Sequence, residues 1–148
     1  MMPEDEFVLM RKRMVQEQIA ARGIRDERIL AVMGSVLRHC FIPTDELAWA
    51  YADGPLPIGY GQTISQPYIV ALMTDLLELA PTDRVLEVGG GCGYQAAVLG
   101  ELAAEVHSVE VIPELAQQAQ NTLAGLGYTR VHLHNGDGSQ GWPVGCAV

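Results

Sequence analysis

A glycine-rich stretch that follows a short apolar run is the part of this sequence best suited to hold a small ligand. The run Val85–Val88 leads into Gly-Gly-Gly-Cys-Gly at residues 89–93, and a helix-compatible segment follows. Glycines permit positive φ angles and a close approach of the ligand to the main chain, and the N–H groups that open the helix face that ligand. Tyr94 stands where a dinucleotide fingerprint, G-x-G-x-x-G, would place its third glycine. The loop therefore favours a nucleoside ligand without a pyrophosphate, with S-adenosylmethionine as the leading case.

An acidic residue at the end of the next predicted strand, Val106–Glu110, strengthens this interpretation. Glu110 lies 21 residues after Gly89, close to the ~20-residue spacing at which a carboxylate meets ribose hydroxyls. A glycine-rich turn without a ligand would explain the loop alone, and an exposed glutamate would explain Glu110 alone. Together the two features predict a nucleoside-binding site.

The composition argues against several other classes of protein. Hydrophobic residues make up 49% of the chain and charged residues 18%, which is typical of a globular domain. The net charge is −9 with only nine Lys and Arg, so we expect no nucleic-acid partner. The basic cluster Arg11-Lys12-Arg13 is predicted to be the solvated face of a helix.

The cysteines predict a reducing compartment, and the N-terminal charge and the hydropathy predict a protein that is neither secreted nor embedded in a membrane. Cys40, Cys92 and Cys146 form no C-x-x-C pair, and an odd count without metal-site spacing suggests free thiols. The acidic start lacks the basic region of a signal peptide, and no apolar run reaches the ~20 residues needed to cross a bilayer. A cytoplasmic protein without a membrane partner is the resulting expectation.

His132 and His134 alternate on one predicted strand, but no carboxylate or cysteine is placed in sequence to complete a site, so no metal is predicted.

The elements that must position these residues alternate between strand and helix. The second half of the chain predicts strands over 84–88, 106–110 and 131–134, with helices between them, and hence a parallel sheet with right-handed crossovers. The first half predicts three helices and, at residues 52–67, an ordered loop or several short strands rich in Gly and Pro. We expect residues 1–80 and 81–148 to form one domain together. The apolar face of the third helix is predicted to comprise Ile69, Leu72, Met73, Leu76 and Leu77.

Three stretches carry a resemblance to a known family. Pro55–Pro67, Val85–Tyr94 and Asn135–Ser139 resemble the corresponding motifs of protein-L-isoaspartate O-methyltransferases, and the similarity covers residues 10–142. Gly-Gln-Thr-Ile-Ser at 61–65 is specific to that family, whereas the glycine loop fits any class I methyltransferase. The resemblance implies a Rossmann-like α/β fold preceded by an N-terminal helical region.

The resemblance also implies an activity. Family members transfer a methyl group from S-adenosylmethionine to the α-carboxylate of L-isoaspartyl residues in damaged proteins, and they are usually monomeric. Ser65 matches the active-site serine of the family. The alternative is a structural role, in which Ser65 caps the third helix. The positions that match the cofactor site are Thr63, Ile64, Glu87, Gly89, Gly91, Glu110, Asp137 and Gly138.

The sequence departs from the family pattern in two respects. Residues 90 and 92 are Gly and Cys where the family usually has Thr or Ser. Family members also continue with four further strands, so a chain that ends at residue 148 is expected to be a truncated member. Two alternatives therefore accompany the methyltransferase hypothesis: a non-catalytic remnant of the family, and a nucleotide- or NAD-binding oxidoreductase.

Overall fold

The computed structural model describes residues 2–142, so Cys146 lies outside the described residues. The chain divides into two compact units between Glu78 and Leu79. Among the described residues no helix is both long and apolar enough to cross a membrane.

The first unit begins with one continuous helical segment. Helix α1 spans Glu4–Arg13, passes into a π-helix at Met14–Ile19 and ends in a 3₁₀ turn at Ala20–Arg22. Gly23 terminates it in the left-handed region at a φ of 101°, a conformation that favours glycine.

The basic cluster on this segment differs from the prediction at its first residue. Lys12 and Arg13 are exposed, but Arg11 is buried. Its Nε donates to the carbonyl of Gly34 at 2.9 Å, and one terminal nitrogen donates to the Tyr51 hydroxyl at 3.0 Å. The prediction of a wholly solvated face was wrong because these acceptors satisfy a guanidinium inside the unit.

The remainder of the first unit places the Gly/Pro-rich segment in a hairpin. Helix α2 spans Glu27–Ser35 and is followed by 3₁₀ turns at Arg38–Phe41 and Thr44–Trp49. Strands β1 (Leu56–Gly59) and β2 (Gln62–Ile64) then pair antiparallel.

Helix α3, Pro67–Leu76, buries a different face from the one predicted. Pro67 occupies the first helical position, and the buried residues are Pro67, Val70, Ala71 and Thr74. Most of the predicted face is exposed, namely Ile69, Met73, Leu76 and Leu77. The helix is apolar around most of its circumference, so periodicity alone does not select the buried side.

The second unit is a parallel sheet with two helices, as predicted. Its order is β3-β4-β5. The elements are β3 (Arg84–Val88), α4 (Tyr94–Leu102), β4 (Glu105–Glu110), α5 (Pro113–Gly125) and β5 (Val131–Asn135). Both helices pack on β4 and β5. The carboxyl ends of the three strands therefore meet along one edge of the sheet.

Candidate functional site

The glycine loop leaves the carboxyl end of β3 and is fixed by backbone hydrogen bonds. The N–H groups of Gly89 and Gly90 both donate to the carbonyl of Val109, at 2.8 and 3.1 Å. Gly89, Gly91 and Gly93 have φ angles of 88°, 57° and 92°, so these three positions require the conformational freedom of glycine. A Cβ built at Gly89 would meet no atom within 4 Å, which leaves open space beside the loop for a ligand.

Glu110 joins this loop to the end of β4. Its side chain is buried; one carboxylate oxygen accepts from the Gly91 N–H and the other from the Ile112 N–H, both at 2.8 Å. A carboxylate offers about four lone-pair sites, so two backbone bonds leave acceptor capacity for two ligand hydroxyls.

The end of β5 is held against the same point. Asn135 Nδ2 donates to the carbonyl of Glu110 at 2.9 Å, and the Gly136 N–H donates to that carbonyl at 3.0 Å. A Cβ at Gly138 would lie 3.0 Å from a methyl of Val88 and 3.2 Å from Val109. Glycine at 138 therefore lets the turn after β5 cross the ends of β3 and β4 closely.

Asp137 precedes that glycine and is exposed. Its carboxylate accepts a hydrogen bond from the Ser139 N–H at 2.9 Å, and this bond lowers the pKa of Asp137. The aspartate thus stabilises its own turn, as Asx turns do.

Glu87 lies behind the loop, on β3. The Ser108 hydroxyl donates to its carboxylate at 2.6 Å. Burial raises the pKa of Glu87 to about 7; the Ser108 hydrogen bond opposes this rise, and the charge of Glu110 adds to it. Sequence reasoning missed Ser108, although the β3–β4 register that places it beside Glu87 follows from aligning the two strands.

The same serine explains the first departure from the family pattern. A Cβ at Gly90 would collide with the Ser108 hydroxyl and lie 3.3 Å from a methyl of Leu133. Gly90 is buried and does not have a positive φ, so its backbone conformation does not itself require glycine. Glycine at 90 therefore provides space for Ser108.

The three site residues predicted in the first unit lie at its hairpin. Thr63 and Ile64 belong to β2, where Thr63 is exposed and Ile64 is buried. Ser65 follows the strand and is exposed, and its carbonyl accepts from the buried Arg38 side chain at 2.9 Å. The residue that caps α3 is Gln66, without a side-chain capping bond, so the alternative role of Ser65 as a helix cap was wrong.

A polar clamp holds the chain around Ser65. Gln66 Nε2 donates to Asp53 at 2.7 Å, and Arg22 forms a two-pronged ion pair with the same carboxylate. These bonds lower the pKa of Asp53 to about 2. The carbonyl of Ser65 and the side chain of the following Gln66 are therefore both held by hydrogen bonds, while Ser65 itself is exposed.

The strand order, the glycine loop and the acid at the end of β4 define a class I methyltransferase fold. A family model described as protein-L-isoaspartate(D-aspartate) O-methyltransferase matches residues 10–146. The chain belongs to this family.

Individual relatives of this chain carry the name of the same family. A protein-L-isoaspartate O-methyltransferase from a Picosynechococcus strain is 57% identical over 93% of this chain and 62% of its own length. One from a Synechococcus strain is 59% identical over 94% of this chain and 57% of its own. The chain thus spans about three-fifths of the length of these curated relatives.

Solved structures give the same fold. A protein-L-isoaspartate O-methyltransferase structure superposes with a TM-score of 0.82 and 30% identity, over 90% of this chain and 44% of that chain. A Plasmodium falciparum family member in complex with S-adenosyl-L-homocysteine has a TM-score of 0.69 and 24% identity, over 83% of this chain and 61% of that chain. The latter similarity supports the fold alone.

Proposed function

We propose that this chain binds S-adenosylmethionine and acts as a protein-L-isoaspartate O-methyltransferase on damaged proteins. The observation that carries the proposal is the buried Glu110 carboxylate, which accepts hydrogen bonds from the Gly91 N–H of the glycine loop and from the Ile112 N–H. Family membership supports the reaction and the acceptor class.

The residues present fit the adenosyl group. Glu110 would accept bonds from the two ribose hydroxyls with the lone pairs that its backbone bonds leave over. Gly89 and Gly91 would let the ligand lie against the main chain. Asp137 and Gly138 would lie against the adenine from the turn after β5, and Glu87 would support the loop from behind.

The NAD alternative is disfavoured by a specific residue. Tyr94 occupies the position of the third fingerprint glycine, begins α4 and is 1% exposed. In a dinucleotide-binding fold, the third glycine allows the helix to pack closely against the strand. The bulky side chain of Tyr94 does not allow such close packing at this position.

The proposed chemistry requires orientation more than proton transfer. When bound, the sulfonium cofactor supplies an electrophilic methyl group. An isoaspartyl carboxylate is already ionised near pH 7, so the attacking oxygen needs no general base. The protein's part is to align this oxygen and to exclude water.

Ser65 is the residue proposed to orient the acceptor. Ser65 is exposed and does not cap α3, Arg38 donates to its carbonyl, and the side chain of the following Gln66 is bound to Asp53. Thr63 and Ile64, which precede Ser65 on the same hairpin, are proposed to contact the cofactor.

Methyl transfer to paired peptides tests the proposal. The 148-residue chain is incubated with methyl-labelled S-adenosylmethionine and either an L-isoaspartyl peptide or the same peptide with normal aspartate. We expect a base-labile methyl ester on the isoaspartyl peptide only. Equal labelling of both peptides, or no labelling of either, would contradict the proposed activity.

A further inference from the structure

A second cluster of chemically active side chains lies on the sheet of the second unit. Glu105 and His107 alternate on β4, and His132 lies opposite His107 in the parallel register with β5. Alternation places all three side chains on one face of the sheet. The expectation that no carboxylate accompanies the histidines was wrong: Glu105 is that carboxylate, and the strand pairing brings it next to them.

The donor atoms of this cluster converge on a small volume. His107 Nε2 lies 2.8 Å from Glu105 Oε1, and His132 Nε2 lies 3.8 Å from the same oxygen. One ligand atom from each of the three residues lies within 4.8 Å of those of the other two. Ligands of a tetrahedral zinc ion at about 2.0–2.2 Å from the metal would need shifts of only about an ångström from these positions.

We propose that Glu105, His107 and His132 form a binding site for a divalent transition-metal ion, with Zn²⁺ the ion best matched to the donors. Two imidazoles and one carboxylate are a ligand set that zinc takes, with a solvent molecule in the fourth position. Imidazole nitrogen also favours zinc over Mg²⁺ and Ca²⁺, which prefer oxygen ligands. This site is independent of the proposed methyl transfer.

The exposure of the three side chains suits an ion that enters from solvent. The His107 side chain is 6% exposed, whereas those of Glu105 and His132 are 34% and 46% exposed. One ligand is therefore buried, and two are accessible from solvent. The accessible side provides the entry path and the open coordination position.

His134 would support the site from behind. Its Nε2 lies 2.9 Å from His107 Nδ1, the nitrogen opposite the one that faces Glu105. With an ion on His107 Nε2, the Nδ1–H would donate to His134, an outer-shell bond that fixes the orientation of metal-bound histidines. The His134 ring is in turn stacked on Trp142, with centroids 4.5 Å apart.

Zinc competition between the untagged chain and a chromophoric chelator tests the proposal. The chain is compared with His132→Gln and Glu105→Gln, which alter accessible side chains and should leave the fold intact. Glu101→Gln, at an exposed carboxylate on α4, is the matched control. His134→Gln tests the supporting residue.

We expect one zinc ion per chain, unchanged in Glu101→Gln. Affinity should fall about 10- to 100-fold in His134→Gln and further in the two ligand variants. Bound Co²⁺ should show the strong visible absorption of tetrahedral coordination and lose it in His132→Gln.

Trp142 provides a readout that does not depend on the chelator. The chain has two tryptophans, so Trp49→Phe leaves Trp142 as the sole emitter, and zinc should change its fluorescence. Absence of binding to a well-folded chain would overturn the proposal. So would binding that survives both His132→Gln and Glu105→Gln.

Discussion

One oxygen of the Glu110 carboxylate accepts a hydrogen bond from the backbone N–H of Gly91 at 2.8 Å. The bond links the end of one strand to the loop that follows its neighbour. Because the second oxygen accepts from the Ile112 N–H, the glutamate orders the glycine loop before any ligand is present. Preorganisation of this kind lowers the ordering cost of binding.

Replacing Glu110 should therefore destabilise the protein even without a ligand. Glu110→Ala leaves two backbone donors without their acceptor, and hydrogen bonds to a charged group are each worth about 1.5–3 kcal/mol. We expect a loss of about 3–6 kcal/mol in the free energy of unfolding, together with faster amide exchange at Gly91 and Ile112. Glu114→Ala, at an exposed acid on α5, should change stability by less than about 0.5 kcal/mol. Equal effects of the two substitutions would contradict this role for Glu110.

Gly90 and Ser108 should be energetically coupled. Gly90→Ala adds a Cβ where the Ser108 hydroxyl lies, and overpacking of this kind typically costs about 1–3 kcal/mol. The double variant Gly90→Ala/Ser108→Ala should recover part of that loss, as measured by a denaturation cycle.

Gly125→Ala is the matched control for the added methyl group. Gly125 lies in α5, and a Cβ there would meet nothing within 4 Å. This substitution should be neutral or stabilising by up to about 1 kcal/mol. Strict additivity of the Gly90 and Ser108 variants would show that the two residues do not compete for space.

Stability should depend on pH through Glu87. Its pKa rises from the ordinary 4.5 to about 7 in the folded chain, so the folded state keeps a proton that the unfolded state releases. The contribution is fully present below pH 4.5 and is lost as the pH rises to about 7, at up to about 1.4 kcal/mol per pH unit.

Glu87→Gln isolates this contribution because an amide does not titrate. Urea denaturation between pH 4 and 8 should show a smaller decline for the variant than for the parent chain, and greater stability of the variant above pH 7. Parallel profiles would mean that Glu87 titrates normally.

Ser65→Ala should separate orientation from stability. The exposed hydroxyl caps no helix, so the free energy of unfolding should change by less than about 0.5 kcal/mol. If the hydroxyl orients the acceptor, turnover should fall while S-adenosylhomocysteine affinity remains unchanged. Ser35→Ala, at an exposed serine of α2, is the control. A loss of stability with turnover retained would assign Ser65 a structural role only.

The elements of the second unit could be predicted because each has a strong local signal. Strand β3, Arg84–Val88, has the predicted bounds, since a short apolar run that ends at a glycine cluster is a strong local signal for a strand. The acid at the end of β4 could be located for the same reason, because the glycine loop and Glu110 each adjoin a recognisable strand.

What the sequence did not reveal depends on contacts between distant residues. Burial of Arg11 depends on hydrogen-bond acceptors 23 and 40 residues away. No local sequence pattern predicts that these acceptors lie beside Arg11. The cluster of Glu105 with His107 and His132 depends on strand register, which a single strand does not specify. The buried side of α3 was mispredicted because apolar residues surround the helix.

Calorimetric titration of the 148-residue chain with S-adenosylhomocysteine tests the central claim most directly. The account predicts saturable binding of one molecule per chain, no binding of NAD, and weaker binding to Glu110→Ala by about 1.5–3 kcal/mol, with Glu114→Ala unchanged. Binding of NAD in place of S-adenosylhomocysteine, or S-adenosylhomocysteine affinity unaffected by Glu110→Ala, would contradict it.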